Sequence, residues 1–210
     1  MMPGRILTVS AHADDTALCA GGVLSLFSDA ASFDLTFSQH RGVEVNYFSS
    51  IKQEHEEAMA ILNVKDYFLS DLEACNGDFF QDAAFIRNKL EDTRDSFKPD
   101  LVLTHPFFDT NQDHKVIHEE VVRVFKSFCT LLTYDFPSNA LNPHGPMAYF
   151  DLLNVNVTNK MRAIGSYRSQ IREGSHSYMG WEGIKGLASM RGMQVNADYA
   201  EAFYVERVIV

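Results

Sequence analysis

What most constrains this chain is a repeated alternation of short apolar runs with helix-length amphipathic segments. Arg5–Ser10, Phe33–Phe37, Val64–Leu69, Asp100–His105 and Leu131–Phe136 read as strands. Helical patterns lie between them, from Thr16 to about Ala31, Ser49–Leu62, about Gln81–Ser96 and about Asp113–Phe128. The second helix carries an apolar stripe at Ile51, Ala58, Ile61 and Leu62, and Pro99 stops the third. Strands joined by helices of this length need crossover connections and so pair in parallel, which predicts a doubly wound α/β sheet.

Beyond Pro137 the pattern changes. Ser138–Pro146 reads as a loop, Ala148–Val155 as a strand and Thr158–Gln170 as a helix. A Gly/Ser/Tyr-rich segment follows, then a short helix at Ile184–Met190 and a last strand at Ala202–Val210. The expectation is one domain, residues 1–210, with an elaborated C-terminal third.

Composition narrows the function. With 46% hydrophobic residues in 210, a sizeable core can form. A net charge of −10 without a clustered basic surface argues against a nucleic-acid partner. No apolar run is long enough to span a membrane, and the start lacks the block of a secretory signal, so a cytoplasmic enzyme is expected. Cys19, Cys75 and Cys129 are odd in number and far apart, which points to reduced thiols rather than a disulfide framework.

Two polar clusters follow strands on the sheet edge where α/β folds bind ligands. Ala11-His12-Ala13-Asp14-Asp15 follows the first strand; His105-Pro106, then Asp109 to His114, follows the fourth. His12 and Asp15, three apart at a strand-to-helix turn, can face one side, with His114 as a third ligand. Such a set leaves a position open for water on Zn²⁺, one ion per chain, although other divalent ions fit the same donors. Asp14, beside the metal, can accept a proton from that water, and Asp113 can orient a ligand imidazole. Taken singly, each cluster has a plainer account. Asp14-Asp15 can be an N-cap, and Asp113-His114 capping beside a surface histidine. A dinucleotide site is disfavoured, because the first turn lacks Gly-x-Gly-x-x-Gly and its two carboxylates repel a pyrophosphate.

Ala11 to Gly22 resembles the His-Pro-Asp-Asp signature, with its trailing glycine pair, of the PIG-L/LmbE-like de-N-acetylases. Glu54, Ala58 and Leu62 match that family's charged helix, and Asp109–His114 its His-x-Asp-His motif. Lys160, Ala163, Ser169 and Gln170 match a later helix, and Tyr199–Phe203 a near-terminal Ala-Glu-x-Phe stretch. The resemblance implies a Rossmann-like fold and zinc-dependent removal of an N-acetyl group from an amino sugar or its conjugate. It implies His12, Asp15 and His114 as metal ligands and Asp14 as general base. It also implies a small-molecule partner and extends to this chain the family's frequent homo-oligomeric assembly. A non-sugar amide from secondary metabolism, or a catalytically weakened metal- or sugar-binding role, are the alternatives.

Two positions depart from the family pattern. Ala13 stands where the family has Pro, and Asn111 where it has the first His of His-x-Asp-His. Asn111 is expected to keep a weaker oxyanion role, with His105 or His144 supplying a proton donor. Lys52 lies near a substrate-contacting arginine of relatives. Tyr167, Tyr178 and Trp181 can form either a sugar-facing cluster or packing.

Overall fold

The computed structural model describes residues 2–38, 46–71, 79–135, 145–171 and 179–209. Within them the order is β1 Arg5–Ser10, α1 Asp15–Leu26, β2 Ala31–Ser38, α2 Asn46–Ile61, β3 Asp66–Asp71, α3 Ala83–Phe97, β4 Leu101–Thr104, α4 Gln112–Phe125 and β5 Thr130–Tyr134. Then follow β6 Ala148–Leu152, α5 Asn154–Gly165, α6 Trp181–Gln194 and β7 Tyr199–Arg207.

The strands form one sheet in the order β3-β2-β1-β4-β5-β7-β6. β3, β2, β1, β4 and β5 pair in parallel, and β7 runs antiparallel to both β5 and β6. The mostly parallel α/β architecture is the one the alternation predicts. Strand order reverses between β1 and β4, so the two polar clusters emerge side by side at the switch point.

Alternation along β1 sends its side chains to two cores. Ile6 joins Ala17, Ala20 and Val23 of α1 and Met161 and Ile164 of α5. Leu7 and Val9 join Leu90 of α3 and Val121 and Phe125 of α4 on the opposite face. Cys19 and Cys129 are free and buried, and Cys75 lies outside the described residues.

The C-terminal elements differ from their expected bounds. Helix α5 ends at Gly165 rather than near Gln170, and Ser169 instead gives its backbone N–H and hydroxyl to the Glu54 carboxylate at 2.9 and 2.7 Å. Strand β7 begins at Tyr199, ahead of the expected Ala202. Its acidic Glu201 hides a strand from hydropathy reading, yet the side chain is buried and paired.

That pair fixes α1. Glu201 accepts hydrogen bonds from the backbone N–H groups of Gly22 at 3.2 Å and Val23 at 2.7 Å, and its Oε1 lies 2.5 Å from Lys160 Nζ. The glycine pair makes room for the approach. A Cβ on Gly22 would fall 2.5 Å from Leu152 Cδ1, and one on Gly21 would fall 3.1 Å from Lys160 Cγ. The side chains of Lys160 and Glu201 are only 9% and 5% exposed, so removing one partner leaves a buried charge unpaired. Lys160→Ala is therefore expected to lower stability by about 3–5 kcal/mol in a denaturant titration.

Candidate metal centre

The turn from β1 into α1 folds back on its own side chain. His12 N–H donates to Asp15 Oδ2 at 2.8 Å, which anchors that carboxylate at the helix start. Asp14 occupies the N-cap position with φ −87°, but its side chain makes no capping hydrogen bond. Its carboxylate lies close enough to Asp15, His12 and His114 to feel their charges.

Helix α4 brings the second cluster across the switch point. His114 Nε2 lies 3.2 Å from His12 Nδ1 and 3.4 Å from Asp15 Oδ2, and His12 Nδ1 lies 3.4 Å from Asp15 Oδ2. These three donor atoms form a nearly equilateral triangle. Zn–N and Zn–O bonds of about 2.0–2.1 Å at the tetrahedral angle require donor separations of about 3.3–3.4 Å. The donor set and its spacing fit a tetrahedral ion with one corner left over.

The outer contacts prepare these donors. His114 Nδ1–H donates to Asp109 Oδ2 at 2.7 Å, which turns its Nε2 lone pair toward the triangle. Asp113 Oδ2 lies 3.2 Å from His12 Nε2 and orients that ring the same way, leaving Nδ1 to the triangle. His105 stacks on His114 with ring centroids 3.8 Å apart and planes 17° apart. Its Nε2 receives the Ala11 N–H at 3.1 Å and sits 3.2 Å from Asp15 Oδ2.

Charge follows from this crowding. Desolvation alone would lower His12, but Asp113 and Asp15 hold it up at about 10. Desolvation likewise opposes His114, and Asp15 and Asp109 hold it up at about 9. Asp15 is pulled well below the usual carboxylate range, against its burial, by His114 and His105. Burial, then the neighbouring Asp15 charge, raises Asp14 to about 6. His105 is pushed down to about 4 by burial and by His114, so it is neutral at pH 7. Carboxylates and imidazoles at this spacing are donor types that exchange protons for a cation when one binds.

The remaining expected residues fall in different places. Asn111 is the N-cap of α4: its Oδ1 accepts from Asp113 N–H at 2.8 Å, and its own N–H donates to Asp109 Oδ1 at 2.7 Å. Only its amide N–H₂ remains for another partner. His105 is buried, as are Asp15 and His114, and it packs against the His114 ring at the back of the cluster. Lys52 is exposed on α2, whose buried polar side chains are Glu54 and His55. His144 and Tyr178 lie outside the described residues. Tyr167 is fully buried, so of its two readings the packing one holds, while Trp181 is exposed.

Two sets of residues escaped the sequence reading. Asp109, the partner of His114, carries a signal in its place within the second cluster. Asp34 and His55 give less: an aspartate inside the apolar run Phe33–Phe37 is the only hint. For Asn111 the cap makes a direct prediction. Asn111→Ala should cost about 1 kcal/mol of stability, and Asn111→Asp should keep most of it, as read by urea unfolding.

Solved structures of the same fold cover nearly all of the chain. N,N'-diacetylchitobiose deacetylase from Pyrococcus horikoshii, bound to an inhibitor, superposes with a TM-score of 0.74 at 16% identity, over 97% of this chain and 84% of that one. The zinc-inhibited form of teicoplanin deacetylase Orf2 does so at 0.73 and 14%, over 95% and 97%. The 4-carboxy-2-hydroxymuconate hydratase GalB from Pseudomonas putida KT2440 does so at 0.72 and 19%, over 98% and 97%. At these identities the likeness establishes the fold, and the hydratase shows that the fold alone does not name a reaction. None of the curated proteins compared matches the chain. A family profile described as PIG-L, GlcNAc-PI de-N-acetylase, matches residues 7–125, more than half of the chain and both polar clusters. The chain belongs to the PIG-L family.

Proposed function

We propose that the protein is a metal-dependent N-deacetylase acting on an amino sugar or an amino-sugar conjugate. The observation that carries this reading is the donor triangle of His12, Asp15 and His114, with the Asp14 carboxylate near enough to interact with all three. The family's description, a de-N-acetylase of a glucosamine conjugate, and the deacetylases among the structural neighbours support the substrate class.

His12, Asp15 and His114 would hold one Zn²⁺. When bound, the ion supplies Lewis-acid chemistry, lowering the pKa of a water towards roughly 7 and polarising an amide carbonyl. Asp14 takes the proton of the attacking water as the C–O bond forms. It returns that proton to the amine nitrogen as the C–N bond breaks, releasing acetate and the free amine. We place both transfers on Asp14, whose carboxylate makes no capping hydrogen bond, while His105, held down at about 4, stacks on His114. Asn111 contributes at most its amide N–H to the developing oxyanion, since its oxygen serves the helix cap. Asp113 and Asp109 hold the two ligand imidazoles in their tautomers.

Amine release from a panel of N-acetylhexosamines and their conjugates, with metal content measured alongside, tests the reading. Wild type and Asp14→Ala should each retain about one zinc, and the variant should lose about 10²–10⁴-fold in kcat. Zinc bound with no amine released from any member would instead fit a binding protein, and no zinc at all would sink the proposal. Asp109→Ala should weaken zinc affinity about 10–100-fold in a chelator competition, because His114 loses its orienting partner.

A further inference from the structure

Beneath the metal turn lies a fully buried polar network that the deacetylation scheme does not use. Asp34 of β2 accepts hydrogen bonds from Thr8 Oγ1 at 2.7 Å, Thr16 Oγ1 at 2.6 Å and Thr36 Oγ1 at 2.8 Å. Its Oδ2 also lies 3.2 Å from Nε2 of His55, which projects from α2. The other nitrogen of His55, Nδ1, is 3.2 Å from the Ala13 carbonyl and 3.0 Å from Tyr167 Oη. Tyr167, just past the end of α5, donates its hydroxyl to that same carbonyl at 2.6 Å. The carbonyl and the tyrosine oxygen are the acceptors here, so His55 Nδ1 carries a hydrogen.

Every side chain in this network is inaccessible to solvent. Burial alone would raise the Asp34 carboxyl, yet His55, Thr16 and Thr8 hold it below the usual range. Buried polar networks of this kind need not add net stability over an apolar core of the same volume. What they do supply is a single permitted geometry. Both arms end on one atom, the Ala13 oxygen, and the Ala13–Asp14 peptide plane sets where the Asp14 side chain leaves the backbone.

The identity of residue 13 gives the network its purpose. A proline at this place fixes φ through its ring. With Ala13 the turn has no such internal restraint, and it sits between a ligand residue and the proposed base. We propose that Asp34, His55 and Tyr167 are positioning residues that grip the Ala13 carbonyl from beneath and thereby aim His12 and Asp14, replacing from outside the restraint a proline supplies from within. The proposal rests on the deacetylase reading above.

Tyr167→Phe removes the hydroxyl donor and keeps the ring packing, so it is the variant to make first; His55→Asn is the second. Zinc affinity by chelator competition, kcat and KM on the best substrate of the panel, and urea unfolding are measured for both. Each variant should bind zinc about tenfold more weakly and lose about tenfold in kcat with KM within about twofold of wild type. Adding Ala13→Pro to Tyr167→Phe should recover most of both losses. Loss of stability with zinc affinity and kcat unmoved, or no recovery with Ala13→Pro, would overturn the proposal. If wild type binds no zinc, the deacetylase reading fails; if wild type binds zinc and the variants bind it equally, the positioning role alone fails.

Discussion

The Glu201 carboxylate lies against the backbone N–H groups of Gly22 and Val23 while Lys160 neutralises it, and this contact holds α1 in place. Everything at the metal turn depends on where that helix starts. Helix α1 begins at Asp15, so a shift of the helix along its axis would carry Asp14 and Asp15 with it. Two glycines in succession let Lys160 and Leu152 approach closely enough for the pair to form. A carboxylate buried in this way is costly unless fully satisfied, and here two amides and an ammonium satisfy it. The C-terminal β7 and α5 are thus structural partners of the first motif, not an appendage to it.

At the site itself three carboxylates and three imidazoles share one crowded corner of the sheet edge. Three donor atoms converge to 3.2–3.4 Å, the spacing that a tetrahedral zinc ion requires. Asp109 and Asp113 point the imidazoles inward, and His105 closes the back by stacking on His114. Asp14 differs from the other carboxylates of the cluster. It serves no cap, and burial beside Asp15 raises it to about 6, near the range in which a carboxylate can both take and return a proton.

The replacement of histidine by Asn111 gains a structural meaning from the same geometry. Asparagine is among the best N-caps because its short side chain reaches the N–H two residues on, and Asn111 does so to Asp113. The helix start that carries Asp113 and His114 is secured, while the charge and labile proton of an imidazole are given up. In the proposed reaction the movement of protons falls to Asp14.

Much of this architecture was legible in the chain. Alternating strand and helix periods implied a parallel sheet, and clusters after the first and fourth strands implied a site at the switch point, because crossover geometry puts those strand ends on one edge. His12, Asp14 and Asp15 could be singled out from their spacing in one βα turn, and His114 from its place after the fourth strand. Asp113 and Asp109, beside His114 in the chain, carried a local signal as well. The distant partners could not be read: Glu201 meets Gly22, and Asp34 and His55 reach the Ala13 turn, only because the fold closes separations that no periodicity encodes. Hydropathy reads Glu201 and Asp34 as interruptions of their strands. The tertiary structure makes each the centre of a satisfied polar contact, because a buried charge is tolerated only where other elements bring donors to it.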